Sequence, residues 1–246
     1  MDLGLKDKKV LVFGSSAGLG KAVATEFIKE GAHVTIQGRN QDRLEKTKTE
    51  IQAQGMIVGD LSIKEAAKNI VDNYLKENKN LDVLVLNTGG PPKGNFDEIS
   101  SQVWRDQFEN LWMSGVDSIK AVMPGFKKQQ YGRVIWITSV AAKEAMKDLT
   151  VSNGFRAGIL GLTRSLSNDF ASSGITFNQI LPGFTNTERL QNLNLSEDFV
   201  KSVVPAGRVG RPEELGKLAA FLGSEAASYI TGQAIAIDGG LSLIHI

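Results

Sequence analysis

The sequence predicts a single-domain α/β fold built on a doubly wound, seven-stranded parallel sheet with helices on both faces, and three observations carry that expectation. Short apolar runs alternate with amphipathic helical stretches, the first run breaks into three closely spaced glycines, and polar or glycine punctuation recurs where successive runs end. With 246 residues, 41% of them hydrophobic, one large core is within reach, so residues 1–246 are expected to form one domain.

The opening unit runs from Lys9 to Gly20. Val10 to Phe13 is uninterrupted apolar, as in a strand buried on both faces, and Gly14, Gly18 and Gly20 turn the chain sharply into a helix that extends to about Lys29. Where side chains are missing, backbone amides and the positive end of a helix dipole can approach a dinucleotide pyrophosphate. Ser15 and Ser16 would add hydroxyl contacts. The same glycines also suit a plain tight turn.

Ala32 to Gln37 reads as a second strand, Gln41 to Gln52 as a helix with Leu44 and Ile51 on one face, and Met56 to Val58 as a third strand. Ser62, with Glu65 three residues on, is the expected N-cap of a helix reaching about Lys76. Leu81 to Leu86 forms a fourth strand ending in Asn87-Thr-Gly-Gly90. One long helix is expected from Ser101 to about Phe126, then a fifth strand over Arg133 to Thr138. The helix from Asn153 to Ala171 buries Ile159, Leu162, Leu166 and Phe170, with Ser152 available as its N-cap. Ile175 to Leu181 makes a sixth strand stopped by Pro182-Gly183, Pro212 opens another helix, and Gln233 to Ile237 closes the sheet.

Composition excludes several functions. Charge is balanced at +1, from 28 basic and 27 acidic residues spread along the chain, so no nucleic-acid or membrane surface is expected. There is no cysteine, hence no thiol nucleophile or disulfide. The first residues lack a signal-peptide apolar region and no later run is long enough to span a membrane, which makes a cytoplasmic protein the expectation. His33 and His245 lie far apart in sequence and give a metal site or histidine triad little material.

In a doubly wound sheet ligands bind beyond the carboxyl ends of the strands. Gly14, Ser15, Ser16, Arg39, Asp60, Asn87, Gly89, Ser139, Pro182 and Gly183 all fall at those ends. Turn chemistry accounts for each one separately. It does not account for their agreement, which marks one edge of the sheet as the site.

From Lys9 to about Ser242 the sequence resembles the short-chain dehydrogenase/reductase family, which implies a Rossmann-type fold. The resemblance makes Gly14, Gly18, Leu19 and Gly20 part of the phosphate loop, Asp60 and Leu61 an adenine-contacting pair, and Asn87-Thr-Gly89-Gly90 the equivalent of the family's Asn-Asn-Ala-Gly. It places Asn110 and Ser139 on the catalytic asparagine and serine, and Pro182, Gly183 and Thr187 beside the nicotinamide. The tail from Gly207 to Gly240 is especially similar to the 3-oxoacyl-acyl-carrier-protein reductases. Arg39 ends the second strand where an acidic residue would accept a ribose 2′-hydroxyl; an arginine there suits a 2′-phosphate, so NADP is expected over NAD, although a solvated loop charge is an equally ordinary role.

The family's Tyr-x-x-x-Lys pair falls on Ser152 and Arg156, at an ordinary 13-residue step from Ser139. An aliphatic hydroxyl is far less acidic than a phenol and a guanidinium does not titrate near neutrality, so Ser152 is a poor general acid while Arg156 can still hold the ribose. Three accounts follow: a slow reductase of a small carbonyl or 3-oxoacyl thioester working through Ser139, Ser152 and water; one using another donor such as Lys143; or a silent NADP-binding assembly or sensor protein. The resemblance also implies a homo-oligomer, tetramer or dimer, assembled through the helices after Ser101 and Asn153. A substrate lid is expected around 184–206, with Phe96, Met146, Phe184 and Leu190 as candidate apolar lining.

Overall fold

The first strand, β1 (Lys9–Val12), sends alternate side chains into two different cores. Val10 and Val12 pack on one face with Val23 and Phe27 of helix α1 (Gly18–Lys29) and with Leu215 and Ala219 of a helix late in the chain. Leu11 and the following Phe13 pack on the other with Ile70, Tyr74, Val122 and Phe126. Burial on both faces explains the unbroken apolar run.

The computed structural model describes residues 2–192 and 194–243, and His245 lies outside them. After β1 come β2 (His33–Gly38), β3 (Gly55–Val58), β4 (Val83–Asn87), β5 (Gly132–Ile137), β6 (Ile175–Pro182) and β7 (Ala234–Ile237). All pair in parallel in the order β3-β2-β1-β4-β5-β6-β7. Helices α2 (Gln41–Ile51), α3 (Ala66–Asn78), α4 (Ser101–Gln107), α5 (Ser114–Gln129), α6 (Thr150–Phe170), α7 (Glu188–Gln191), α8 (Glu197–Val203) and α9 (Pro212–Leu222) connect or flank them. Val10 of β1 is in register with Val34 of β2 on one side and Val83 of β4 on the other. The strand order therefore reverses at β1 and β4, and a crevice opens beyond their carboxyl ends. Among the described residues no helix is long and apolar enough to cross a membrane.

Three local expectations need correction. The helix expected from Ser101 to Phe126 is two helices, α4 and α5, joined by a π-helical turn over Phe108–Met113. The wider turn leaves the Asn110 carbonyl to accept from the Ser114 hydroxyl (2.6 Å), and an apolar pattern alone cannot register one extra residue per turn. Ser62 does not cap α3: its hydroxyl and its N–H both donate to Asp60 (2.8 and 3.0 Å), and α3 starts after Glu65, a residue at φ 64°. Nor does Ser152 cap α6. Asn153 bonds the backbone of Met146 in both directions (3.1 and 2.8 Å), which ties the preceding loop down and lets α6 begin at Thr150, with Ser152 inside its first turn.

Candidate active site

At the switch point the chain builds a cavity of about 870 Å³. Its floor at one end is the loop between β1 and α1. Gly14 and Gly18 take positive φ (56° and 54°), and a Cβ on Gly14 would stand 2.4 Å from the Asn87 carbonyl oxygen. The Asn87 amide donates to the Gly14 carbonyl (2.9 Å), clamping β4 to the loop. Ala17 offers no side-chain cap to α1 and no acid occupies its first turn, so the helix start, with Ser16, Gly18 and Leu19 on the cavity wall, is fitted for an anion. This bare backbone cradle fits a dinucleotide.

Two expected cofactor contacts do not reach the cavity. Ser15 is fully buried; its hydroxyl donates to Val12 O (2.6 Å) and accepts from Gln37 N (2.9 Å), so it staples the loop to β2. Gly20 is a packing glycine: a Cβ there would lie 2.3 Å from Gly14 O. Gln37, not foreseen as a site residue, accepts from Gly14 N (3.0 Å) and donates to Gly59 O (2.7 Å), joining the loop to the end of β3. A polar side chain in a strand buried on both faces was the signal that could have found it.

Along the β2 and β3 ends the cavity is lined by Arg39, Arg43, Asp60 and Leu61. Arg39 is exposed and, among the described residues, without an ion pair, whereas Arg43 pairs with Glu188 of α7 across the mouth. The N–H and hydroxyl of Ser62 hold the Asp60 carboxyl below the usual carboxylate range.

At the opposite end stand Asn110, Ser139, Ser152 and Arg156, with Pro182, Gly183 and Thr187 completing the rim and Asn87 and Gly89 between the two ends. The π turn presents Asn110, whose amide makes only long contacts to Gly89 O (3.5 Å) and Gln107 Oε1 (3.4 Å). Ser139 Oγ accepts from Ala141 N (3.2 Å), which leaves its proton free to donate. Arg156 Nε donates to Ser152 Oγ (3.1 Å) and Nη1 makes a long contact to Ile137 O (3.5 Å). Burial, and then the neighbouring Arg189, bring the Arg156 guanidinium down to about 10, so it remains a cation at neutral pH. Thr138 and Arg189 also line this end and were not foreseen; nothing local in sequence marks them.

Among the described residues no tyrosine or lysine lines the cavity. Burial pushes up Tyr74, a core side chain, and takes Tyr131, half-buried beneath Lys8 and Arg133, to about 12, while Tyr229 is fully exposed. Lys143 is likewise outside the lining. Of the four apolar candidates only Leu190 faces the cavity; Phe96 packs on Trp104, Phe184 on Phe199, and Met146 on the cluster of Val140, Ala142 and Leu181.

Comparison with known proteins agrees with this architecture. Residues 14–242 match the family model described as enoyl-(acyl carrier protein) reductase. The chain is 32% identical over 248 residues to a 3-oxoacyl-[acyl-carrier-protein] reductase of Chlamydia pneumoniae, covering 98% of this chain and 100% of the relative. Among solved structures it is similar to YwfH, an NADPH-dependent reductase involved in bacilysin biosynthesis (30% identity, TM-score 0.93, 97% and 100% of the two chains). It is also similar to a 3-oxoacyl (acyl-carrier-protein) reductase from Agrobacterium tumefaciens C58 with NADP bound (28%, TM-score 0.92, 97% and 95%).

Proposed function

The chain belongs to the short-chain dehydrogenase/reductase family, and from that premise we propose that it is an NADP-dependent carbonyl reductase with an atypical proton-donating group. One observation carries the reading: a single cavity runs from an uncapped glycine cradle, past Arg39, which is unpaired among the described residues, to the Ser139, Ser152 and Arg156 cluster. The cradle and the start of α1 would hold the pyrophosphate, Asp60 and Leu61 the adenine, Arg39 a 2′-phosphate, and Arg156 the nicotinamide ribose. When bound, the nicotinamide supplies the hydride. The chain must then stabilise negative charge at the substrate oxygen and deliver a proton there. Ser139 and Ser152 can each donate a hydrogen bond to that oxygen, and the guanidinium on Ser152 Oγ polarises the hydroxyl without titrating. Neither serine is acidic enough to give up its proton, so water supplies it. A positioned acid contributes typically ~10²–10⁴-fold, and turnover is slower by about that factor than with a phenol.

The relatives named above make a 3-oxoacyl thioester the reference substrate. Residues 184–206, which carry α7 and α8, serve as the lid, and the aromatic surface of Trp104, Phe108 and Phe155 serves self-assembly into a homo-oligomer. That the described residues of the cavity lining include no phenol or amine favours one other reading, a protein that binds NADP without turning it over.

Titration with NADPH and NADH, followed by single-turnover assays over ketones and 3-oxoacyl thioesters, separates the two. Tight NADPH binding with oxidation of the bound nucleotide is expected; binding without oxidation on any substrate selects the silent reading, and no binding of either nucleotide defeats both. Arg39→Asp is expected to weaken NADPH at least ~10-fold while sparing NADH. An unchanged preference would refute the assignment of NADP.

A further inference from the structure

Arg133 and Arg156 are both buried guanidinium groups, but only one is answered. Arg133, 2% exposed, donates to the carbonyl oxygens of Ser224 (3.2 Å), Gly132 (3.0 Å) and Gly174 (3.0 Å), lies 3.9 Å from the Glu225 carboxylate and sits 4.2 Å from the Tyr131 ring centre. Arg156, 7% exposed, has the Ser152 hydroxyl, one 3.5 Å carbonyl contact and, among the described residues, no carboxylate. Its charged neighbour is instead a second cation, Arg189.

Arg189 is also unpaired among the described residues: Nη2 donates at 3.4 Å to Pro91 O, and the guanidinium lies over Gly90, where an added Cβ would come within 1.9 Å of it. Both arginines line the same cavity. The acids that share the lining are engaged elsewhere, Asp60 by Ser62, Asp106 by Gln102 and Glu188 by Arg43. A buried charge beside a like charge is costly unless an anion joins the two, and such uncompensated groups in a cleft mark ligand sites.

We propose that Arg156 and Arg189 together bind a carboxylate carried by the substrate, so that the preferred substrates are 2-oxo or 3-oxo acids whose reacting carbonyl lies at Ser152. The proposal rests on the reductase reading above. With Nε spent on Ser152 Oγ at 3.1 Å and Nη1 in long contact with Ile137 O (3.5 Å), Nη2 of Arg156 remains to be shared between the ribose and one carboxylate oxygen, and the Arg189 guanidinium is the donor for the other. A carboxylate seated there is one or two carbons from a carbonyl oxygen on the Ser152 hydroxyl, which is the spacing of an oxo acid. A neutral thioester or ester at the same place would leave the buried Arg156 cation unanswered and the exposed Arg189 to solvent alone. The nicotinamide ribose offers acceptors without charge. The dinucleotide pyrophosphate is the other possible anion, and the test must tell the two apart.

Matched pairs serve as probes: 2-oxobutyrate against its methyl ester, and 3-oxobutyrate against its methyl ester and its N-acetylcysteamine thioester, each with NADPH. The acids are expected to exceed the neutral partners in kcat/KM by about tenfold or more, mainly through KM. As a readout independent of turnover, oxamate, a carboxylate that mimics a 2-oxo acid, is titrated calorimetrically into the NADPH-loaded protein. It is expected to bind, and Arg189→Gln is expected to weaken oxamate by about tenfold or more and to collapse the acid preference, with NADPH affinity nearly unchanged. Equal use of acid and ester, or no oxamate binding, overturns the proposal while leaving the reductase reading intact. So does an Arg189→Gln protein that loses NADPH affinity but keeps oxamate, which would assign the anion to the pyrophosphate. A wild-type protein that binds no NADPH defeats the reductase reading and the proposal with it.

Discussion

Arg156 shows at the level of one residue how a functional group can weaken the fold that carries it. Its pKa in the folded chain, about 10, lies below the ordinary guanidinium value, so the folded state disfavours the charged form. The unfolded chain holds the proton more tightly, so the penalty is constant through neutral pH and stability recovers only as pH rises through about 10 towards the ordinary guanidinium value. Replacing the buried unpaired cation by an apolar side chain of similar length, Arg156→Met, is expected to raise the melting temperature of the ligand-free protein by a few degrees, equivalent to about 1–3 kcal/mol. Calorimetry at pH 7 decides this, and a lower melting temperature would mean that the guanidinium stabilises the fold. Ser152 is the second residue-scale case. Ser152→Tyr combined with Arg156→Lys puts a phenol and an amine where the cavity has neither, and ketone reduction is expected to rise by roughly 10²-fold or more in single-turnover assays. No gain in the double variant would show that the natural site already has an adequate proton source.

Among the elements, the pairing of α1 with the end of β1 is the one that leaves least room. A Cβ on Gly20 would meet the Gly14 carbonyl oxygen at 2.3 Å and the Asn87 amide nitrogen at 2.8 Å, both of which belong to the clamp between loop and β4. Gly20→Ala is therefore expected to push α1 away from the strand, at a cost of about 1–3 kcal/mol in urea unfolding and with loss of nucleotide binding. Wild-type NADPH affinity in that variant would show that the clamp is not needed. The α4–α5 pair illustrates the opposite limit of sequence reading. Its apolar residues recur as a helix requires, yet the π turn that presents Asn110 depends on the Ser114 hydroxyl taking a carbonyl and on Gly115 letting Trp136 approach, where a Cβ would lie 2.2 Å from the ring.

For the whole molecule, the exposed aromatic surface is the feature a lone chain does not explain. Phe96 is 70% and Phe108 42% exposed, and they join Trp104 and Phe155 in one chain of ring contacts with centroid spacings of 5.7–6.5 Å. Large exposed apolar patches mark interfaces. Light scattering at micromolar concentration is expected to give a dimer or tetramer mass, and Phe96→Glu with Phe108→Glu to reduce it without changing the far-ultraviolet circular dichroism. A monomeric wild-type protein would contradict the assembly.

What the sequence alone determined is the part of the molecule that depends on near neighbours along the chain. Seven strands, the helices between them and the edge of the sheet that holds the site follow from apolar periodicity and from glycine and proline punctuation, which act over a few residues. The same local logic exposed the glycine cradle at Gly14 and Gly18, whereas the serine and arginine at 152 and 156 stood out only through the resemblance to the family. Only the tertiary structure decided which way those groups face and what answers them. Ser15, adjacent to the cradle, turns inward because Val12 and Gln37 use its hydroxyl, and Gln37 enters the site because strand pairing brings Gly14 and Gly59 to either side of it. Arg156 and Arg189 come from separate elements, line one cavity and, among the described residues, have no counter-ion. Charge compensation is a property of three-dimensional neighbours, and no local pattern encodes its absence.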